Sequence, residues 1–164
     1  MAASGAFEGA AVWQYPGKSP AAKPPQTEDR FTLSLGILGG WYGTWADVAG
    51  HYANPVFRMG DYAVPVDHDA KGALTLAKGG ANTNNATLAV TPATGIFKGK
   101  ADVWAEGASK PQSVSFEGIL TPFDADILGM GFYLFSDTWT SGDAKPVDYP
   151  VKRSFPVVIE DGTE

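Results

Sequence analysis

Hydrophobic and polar residues alternate along several stretches of the chain, most regularly over residues 31–38. There Phe, Leu, Leu and Ile occupy every second position, with Thr, Ser and Gly between them. The same period of two recurs over 5–15, 95–105 and 113–120. Successive side chains of a strand point to opposite faces of the sheet, so this period is typical of a half-buried strand. The pattern therefore predicts an all-β protein.

Three shorter strands are predicted in the middle of the chain, over 62–66, 73–76 and 87–90. Residues 67–72 and 79–85 separate them and are rich in Gly, Asn and Asp. These residue types form turns, because glycine adopts positive φ and Asn and Asp hydrogen-bond to nearby backbone groups. The spacing of strands and turns is typical of an antiparallel sandwich or barrel.

Two segments near the C-terminus indicate where their strands lie in the sheet. Residues 128–135 are apolar on both parities, which predicts a central strand or one whose outer face is covered. Residues 155–159 contain Pro156, which cannot donate to a ladder, so this strand is expected at an edge or beginning at that point. In total the segments predict about ten strands in an antiparallel barrel or sandwich, closed or nearly closed because closure removes exposed edges.

The chain contains an internal repeat. Gly-x-Phe-x-Gly occurs at 5–9 and again at 95–99, and Gly-Gly-Trp-Tyr at 39–42 corresponds to Met-Gly-Phe-Tyr at 130–133. Self-similarity of this kind indicates a duplicated structural unit.

We interpret the chain as a single β domain, residues 1–164, that contains two pseudo-repeats. The first covers 4–59 and the second 94–159, with further strands in the intervening 60–93. Two strand-like segments precede the motif in the second copy and have no counterpart in the first. We therefore expect the first copy to be cut at its N-terminal side.

The repeat also predicts which aromatic residues fill the core. In each copy the same parity puts a Phe and the Gly two residues later on one face, and a glycine leaves room for a facing aromatic ring. We therefore expect Phe7 and Phe97 to be buried equivalents related by a pseudo-two-fold axis. The predicted core residues are Phe7, Phe31, Trp41, Phe97, Phe116 and Phe132.

Composition excludes several kinds of partner. The chain carries a net charge of −6 with only 12 Lys and Arg residues, so a phosphate-binding surface for nucleic acid is not expected. No run approaches the ~20 apolar residues of a transmembrane helix, and membrane insertion is not expected either. The absence of cysteine excludes disulfides and thiolate chemistry.

No catalytic or metal-binding motif stands out. His51 and His68 are the two histidines, and no nucleophile lies beside either of them in the sequence. Asp67-His-Asp69 has carboxylates, but it lacks the further ligands at defined spacing that a hard-cation loop requires. We therefore expect no catalytic residue, no metal site and no cofactor.

Aromatic residues are the best candidates for ligand binding. The chain has five Trp and six Tyr, and exposed rings form stacking platforms for the apolar faces of sugars. Packing in the core is the competing explanation, and it suits Trp41 best. The candidate glycan-binding residues are Trp45, Tyr52, Trp104 and Trp139.

Four stretches carry a resemblance to a known family. They are Ala-Leu-Thr-Leu at 73–76, Thr-Pro-Ala-Thr-Gly-Ile-Phe-Lys-Gly at 91–99, Phe-Glu-Gly-Ile-Leu at 116–120 and Gly-Met-Gly-Phe-Tyr at 129–133. They resemble the repeated β module of large bacterial cell-surface and secreted proteins, with its pattern Asn-Pro-x-Thr-Gly-x-Phe-x-Gly, Phe-x-Gly-x-Leu and Gly-x-Gly-Phe-Phe.

The resemblance covers 73–159 and, more loosely, 4–59. It implies an extracellular or cell-surface location and a structural or adhesive role, and it carries over no catalytic residue. The expected function is a non-catalytic structural, assembly or adhesive module, whose partners are other copies or neighbouring modules of a larger protein. A carbohydrate-binding module is the alternative, and a glycan-active enzyme is least favoured.

Overall fold

The described residues of this computed structural model form β-strands and no helix. The structure describes residues 7–15, 31–39, 54–68, 73–120, 127–140, 142 and 144–162. The strands are β1 (Phe7–Tyr15), β2 (Phe31–Gly39), β3 (Pro55–Met59), β4 (Tyr62–His68), β5 (Leu74–Leu76), β6 (Thr87–Thr91), β7 (Ile96–Val103), β8 (Gln112–Leu120), β9 (Ile127–Thr140) and β10 (Asp148–Asp161). The all-β class predicted from the alternation is confirmed.

Eight of these strands form one antiparallel sheet in the order β5-β4-β3-β10-β9-β8-β7-β6. The two edge strands, β5 and β6, contact each other, so the sheet is nearly closed into a barrel. Strands β1 and β2 pair with each other in a separate two-stranded sheet. Phe7 therefore lies in a different sheet from Phe97, and the described ladder that joins the two pseudo-repeats runs between β3 and β10.

Side-chain hydrogen bonds support the junction between β5 and β6. The Tyr62 hydroxyl of β4 donates to Asn82 Oδ1 at 2.6 Å, and the Ala86 main-chain N–H donates to the same oxygen at 2.7 Å. Asn82 Nδ2 in turn donates to the Ala86 main-chain oxygen at 2.8 Å. A single amide, which both donates and accepts, thus ties the loop after β5 to β4 and to the start of β6.

The inner face of the large sheet holds the core. The largest fully buried side chains are Phe57, Phe97, Leu74, Leu120, Ile159, Val64 and Val157. Phe116 is also buried, and its ring lies 4.9 Å from that of Phe57 between centroids, across the interior. Alternate residues of each strand point outward, as the period of two requires.

Glycines on β7 and β8 make room for the two phenylalanine rings. The register pairs Phe97 with Gly118 and Gly99 with Phe116. A Cβ atom on Gly118 would collide with the Phe97 ring, and one on Gly99 would collide with the Phe116 ring and with the Thr87 main-chain oxygen. The Phe and Gly motifs at 97–99 and 116–118 are therefore packing motifs, in which each ring occupies the space above a glycine of the neighbouring strand.

The six predicted core residues have different outcomes. Phe97 and Phe116 are buried, 0% and 3% exposed. Phe132 is 45% exposed, so its assignment to the core is wrong. On β9 the inward positions belong to Gly131 and Tyr133, which pair with Gly118 and Phe116 of β8, and this parity points Phe132 outward. Phe7 and Phe31 lie in β1 and β2 with side chains outside the described residues, as does the whole of Trp41.

Strands β3 and β10 differ from the sequence prediction. The pattern predicted no strand at β3, and it predicted β10 only from Phe155, whereas β10 begins at Asp148. β10 pairs with β3 only over Val158 to Asp161. Pro156 precedes this stretch, so among the described strands it is paired with β9 alone. That placement agrees with the edge position expected for a proline, which lacks an N–H.

Candidate functional site

The outer face of the large sheet carries a continuous row of apolar side chains. Ile96, Ile119, Met130 and Val158 are successive cross-strand partners on β7, β8, β9 and β10. Ile119 is 48% exposed, and the other three are exposed or half-buried. We call these four residues the apolar row. Cross-strand neighbours on one face lie about 5 Å apart, so the row forms one contiguous surface.

Phe132 extends the apolar row on one side. Its cross-strand partners are Glu117 on β8 and Pro156 on β10. A shallow hollow of about 410 Å³ is lined by Phe132 together with Ile96, Ile119 and Met130. An exposed ring among aliphatic side chains is the kind of surface that proteins use for contact with partners.

A larger groove, of about 780 Å³, lies beside this hollow on the outer face of β6 to β9. Its apolar part includes Ala89, Phe132 and Leu134. Hydroxyl groups come from Thr87, Ser113, Ser115 and Ser136. Its charged residues are Lys98, Lys100, Lys152 and Glu117. The groove thus combines one exposed aromatic ring with hydroxyls and an excess of positive charge.

The wall of the groove forms where β9 separates from β8. The ladder between these strands ends at Phe116 and Tyr133, after which β9 continues with β10 as its described ladder partner. We call residues 134–140 and their partners 148–154 the arm. The Gln112 amide, oriented so that both bonds form, donates to the Ser136 main-chain oxygen at 3.2 Å and accepts from its N–H at 3.1 Å. This side chain holds the base of the arm beside β8.

The charges of the groove are only partly neutralised. Lys98 Nζ lies 3.9 Å from Glu117 Oε2, and both side chains are exposed. In the part of the chain that the structure describes, no carboxylate lies within ion-pair distance of Lys100 or Lys152. Within that part of the chain, these two ammonium groups are therefore not neutralised by a carboxylate.

Two tyrosines have shifted pKa values, and neither lines the groove. Burial raises the pKa of Tyr133, whose ring lies on the inner face. Burial also raises the pKa of Tyr62, while a hydrogen bond with the Asn84 backbone acts in the opposite direction. Both phenols stay neutral at physiological pH, which suits the hydrogen bond that Tyr62 donates at the β5–β6 junction.

The four predicted glycan-binding aromatics do not form a described cluster. Trp104 follows the end of β7 and is 56% exposed. Trp139 lies on the arm opposite Tyr149, with its side chain outside the described residues. Trp45 and Tyr52 lie outside the described residues altogether. The prediction for these residues stays a prediction.

The sequence analysis missed the groove residues. Phe132 was assigned to the interior, and the lysines are ordinary outward residues of their strands. Two signals were present: Lys98 and Lys100 share one parity of β7, and Ser113 and Ser115 share one parity of β8. What brings them together with Lys152 is the order of the strands, which the local pattern does not contain.

The described residues hold no group of three or more His, Cys, Asp or Glu residues that could bind a metal ion. They also contain no helix capable of crossing a lipid bilayer. No protein-family model, no curated protein and no solved structure matches the chain.

Proposed function

We propose that this chain is a non-catalytic assembly or adhesive module of a larger bacterial cell-surface or secreted protein. The observation that carries the proposal is the apolar row with Phe132 beside it, on the outer face of the large sheet. Contiguous exposed apolar surface is uncommon on monomeric proteins and marks sites of contact. Burying it would contribute roughly 25 cal/mol for each Å² removed from water.

The sequence supports a partner of the same kind. The stretches at 91–99, 116–120 and 129–133 resemble a module that occurs in repeated copies, and we propose that 4–59 is a second, partial copy of 94–159 within this chain. Neighbouring modules would then present the same apolar row to each other. The extracellular or cell-surface location is part of this proposal and rests on the same resemblance.

The test is sedimentation velocity at rising protein concentration, with the variant Ile119→Lys. We expect the parent protein to self-associate and the variant to remain monomeric, because a buried ammonium in the contact is strongly unfavourable. Ala108→Lys, in the exposed loop after β7, adds the same charge away from the row and should leave association unchanged. A parent protein that stays monomeric at every concentration would overturn the proposal.

Carbohydrate binding through the predicted aromatics is the second candidate. The exposed Trp104 ring favours it, because a free indole face can stack on a sugar ring. Tryptophan fluorescence measured across a panel of neutral glycans, for the parent and for Trp104→Ala, tests it. A signal that no glycan changes would end this candidate.

A further inference from the structure

We infer that the groove on the outer face of β6 to β9 binds an acidic polysaccharide. Carboxylates of the sugar chain would pair with Lys100 and Lys152, and a sugar ring would lie on Phe132. The groove meets the surface beside the apolar row at Phe132, which lines both, but binding of a polysaccharide in the groove does not require self-assembly.

The charge of the groove differs in sign from that of the chain. The chain has a net charge of −6, whereas the groove is lined by three lysines and one glutamate. The glutamate, Glu117, already faces Lys98 at 3.9 Å. The local excess of positive charge therefore favours an anionic ligand in this groove, because exposed charges act over about 8 Å in physiological salt.

The hydroxyl groups of the groove favour a sugar over a purely ionic ligand. Ser113 and Ser115 lie on β8 and Ser136 lies on the arm, on both sides of the groove. A hydroxyl both donates and accepts hydrogen bonds, as do the hydroxyls of a sugar. Ser113 and Ser115 point outward on β8, because the register pairs them with outward residues of β7.

Phe132 provides the apolar contact that a pyranose ring requires. Its side chain is 45% exposed and lines the groove between the lysines of β7 and Lys152 of β10. One face of a sugar ring consists mainly of C–H groups and packs on aromatic rings. A ring held on Phe132 would thus have ammonium groups available on two sides.

The groove is also held in shape before a ligand arrives. The two hydrogen bonds between Gln112 and Ser136 fix the arm at the point where the ladder with β8 has ended. A preformed wall lowers the ordering cost of binding, because fewer groups lose freedom when the ligand binds. The arm is therefore a fixed boundary of the site.

Calorimetric titration with polygalacturonate, a homopolymer of an acidic sugar, tests the inference. Uncharged dextran and poly-glutamate serve as the comparison polymers. We expect the parent protein to bind polygalacturonate and not dextran. Lys100→Ser and Lys152→Ser should each weaken binding about threefold to fivefold, which corresponds to the upper range for one exposed ion pair.

Two further variants separate the site from general charge effects. Lys110→Ser removes the same charge outside the groove and should leave the affinity for polygalacturonate unchanged. Phe132→Leu keeps an apolar side chain in the groove but removes the flat ring, so it should weaken binding. All the substituted side chains are exposed, so circular dichroism should show the parent fold. The inference is overturned if polygalacturonate does not bind, if Lys110→Ser is as harmful as Lys152→Ser, or if poly-glutamate binds equally well.

Discussion

The ring of Phe97 occupies the space above Gly118 on the neighbouring strand, a position that a Cβ atom on this glycine would fill. Phe116 and Gly99 repeat the relationship with the strands exchanged. These two pairs hold β7 and β8 together on the inner face, and the core on either side packs against their rings.

Phe97→Ala should lower the free energy of unfolding by about 3 to 5 kcal/mol, because it leaves a cavity in the core above a residue that has no side chain to fill it. Urea unfolding measures the change. The adjacent Ile96→Ala is a matched control, since Ile96 is on the outer face and 37% exposed, and its loss should be much smaller. Equal losses for the two variants would mean that the inward parity of β7 has been assigned incorrectly.

Gly99→Val should be nearly as harmful, although it adds atoms. The new side chain would meet the Phe116 ring and the Thr87 main-chain oxygen of β6, and overpacking of this kind typically costs about 1 to 3 kcal/mol or more. Gly80→Ala is the control, because nothing lies within 4 Å of a Cβ atom at Gly80. An unfolding midpoint of Gly99→Val equal to that of Gly80→Ala would contradict this account.

Asn82→Ala should destabilise the junction between β5 and β6. It removes the partner of the Tyr62 hydroxyl and of the Ala86 main-chain groups, and these partly buried hydrogen bonds contribute about 0.5 to 1.5 kcal/mol each. Amide hydrogen exchange along β6 should accelerate with it. Thr83→Ala, at the exposed next position, is the control and should behave as the parent protein does. Unchanged exchange along β6 in Asn82→Ala would contradict a role in closing the sheet.

Stability should fall in alkaline solution because of Tyr133. Its pKa is raised in the folded state by burial, so the folded protein holds the phenol proton more tightly than the unfolded chain does. This contribution is fully present below about pH 10, the ordinary pKa of tyrosine, and is lost as the pH rises through the raised value. Thermal unfolding at a series of alkaline pH values should show a shallower decline for Tyr133→Phe than for the parent. A decline of the same steepness in both proteins would exclude this tyrosine as a cause.

Gln112→Ala should release the base of the arm from β8. Hydrogen exchange at the Ser136 amide should become faster, because the Gln112 side chain accepts its hydrogen bond. The loss in overall stability should be about 1 kcal/mol, the net value of ordinary hydrogen bonds at an accessible site. Ser113→Ala changes the adjacent residue of β8 without touching this contact. Faster exchange in both variants would point to a general loosening of β8 instead.

The parts of the fold that the sequence predicts are those in which the alternation of residues determines the face. Phe97 and Phe116 follow directly from the period of two in β7 and β8. In β9 both parities are apolar, so the pattern does not distinguish Phe132 from Tyr133. The choice depends on the register with β8, where Tyr133 pairs with Phe116 and Phe132 pairs with Glu117.

The sequence did not predict β3 or the first part of β10 for a different reason. Pro55 begins β3, and Pro150 and Pro156 lie within β10. Local propensity therefore argues against these strands, which pairing with the neighbouring strands nevertheless stabilises. The groove was missed for a related reason. It exists because β9 leaves β8 after Tyr133 while remaining paired with β10, and separation of two strands leaves no trace in the pattern of one strand.

Strands β9 and β10 are 14 residues long each, and over the arm they pair with each other, apart from the main body of the large sheet. The arm has seven residues on each strand, which corresponds to a length of roughly 23 Å. Beyond the arm, the same two strands continue as central strands of the large sheet. A pull on the arm along its axis would therefore load the ladders with β8 and β3 in shear. Antiparallel hydrogen bonds lie across the strands, so under such a load they resist together instead of opening one after another. In mechanical terms, β9 and β10 would transmit a force on the arm to the centre of the large sheet.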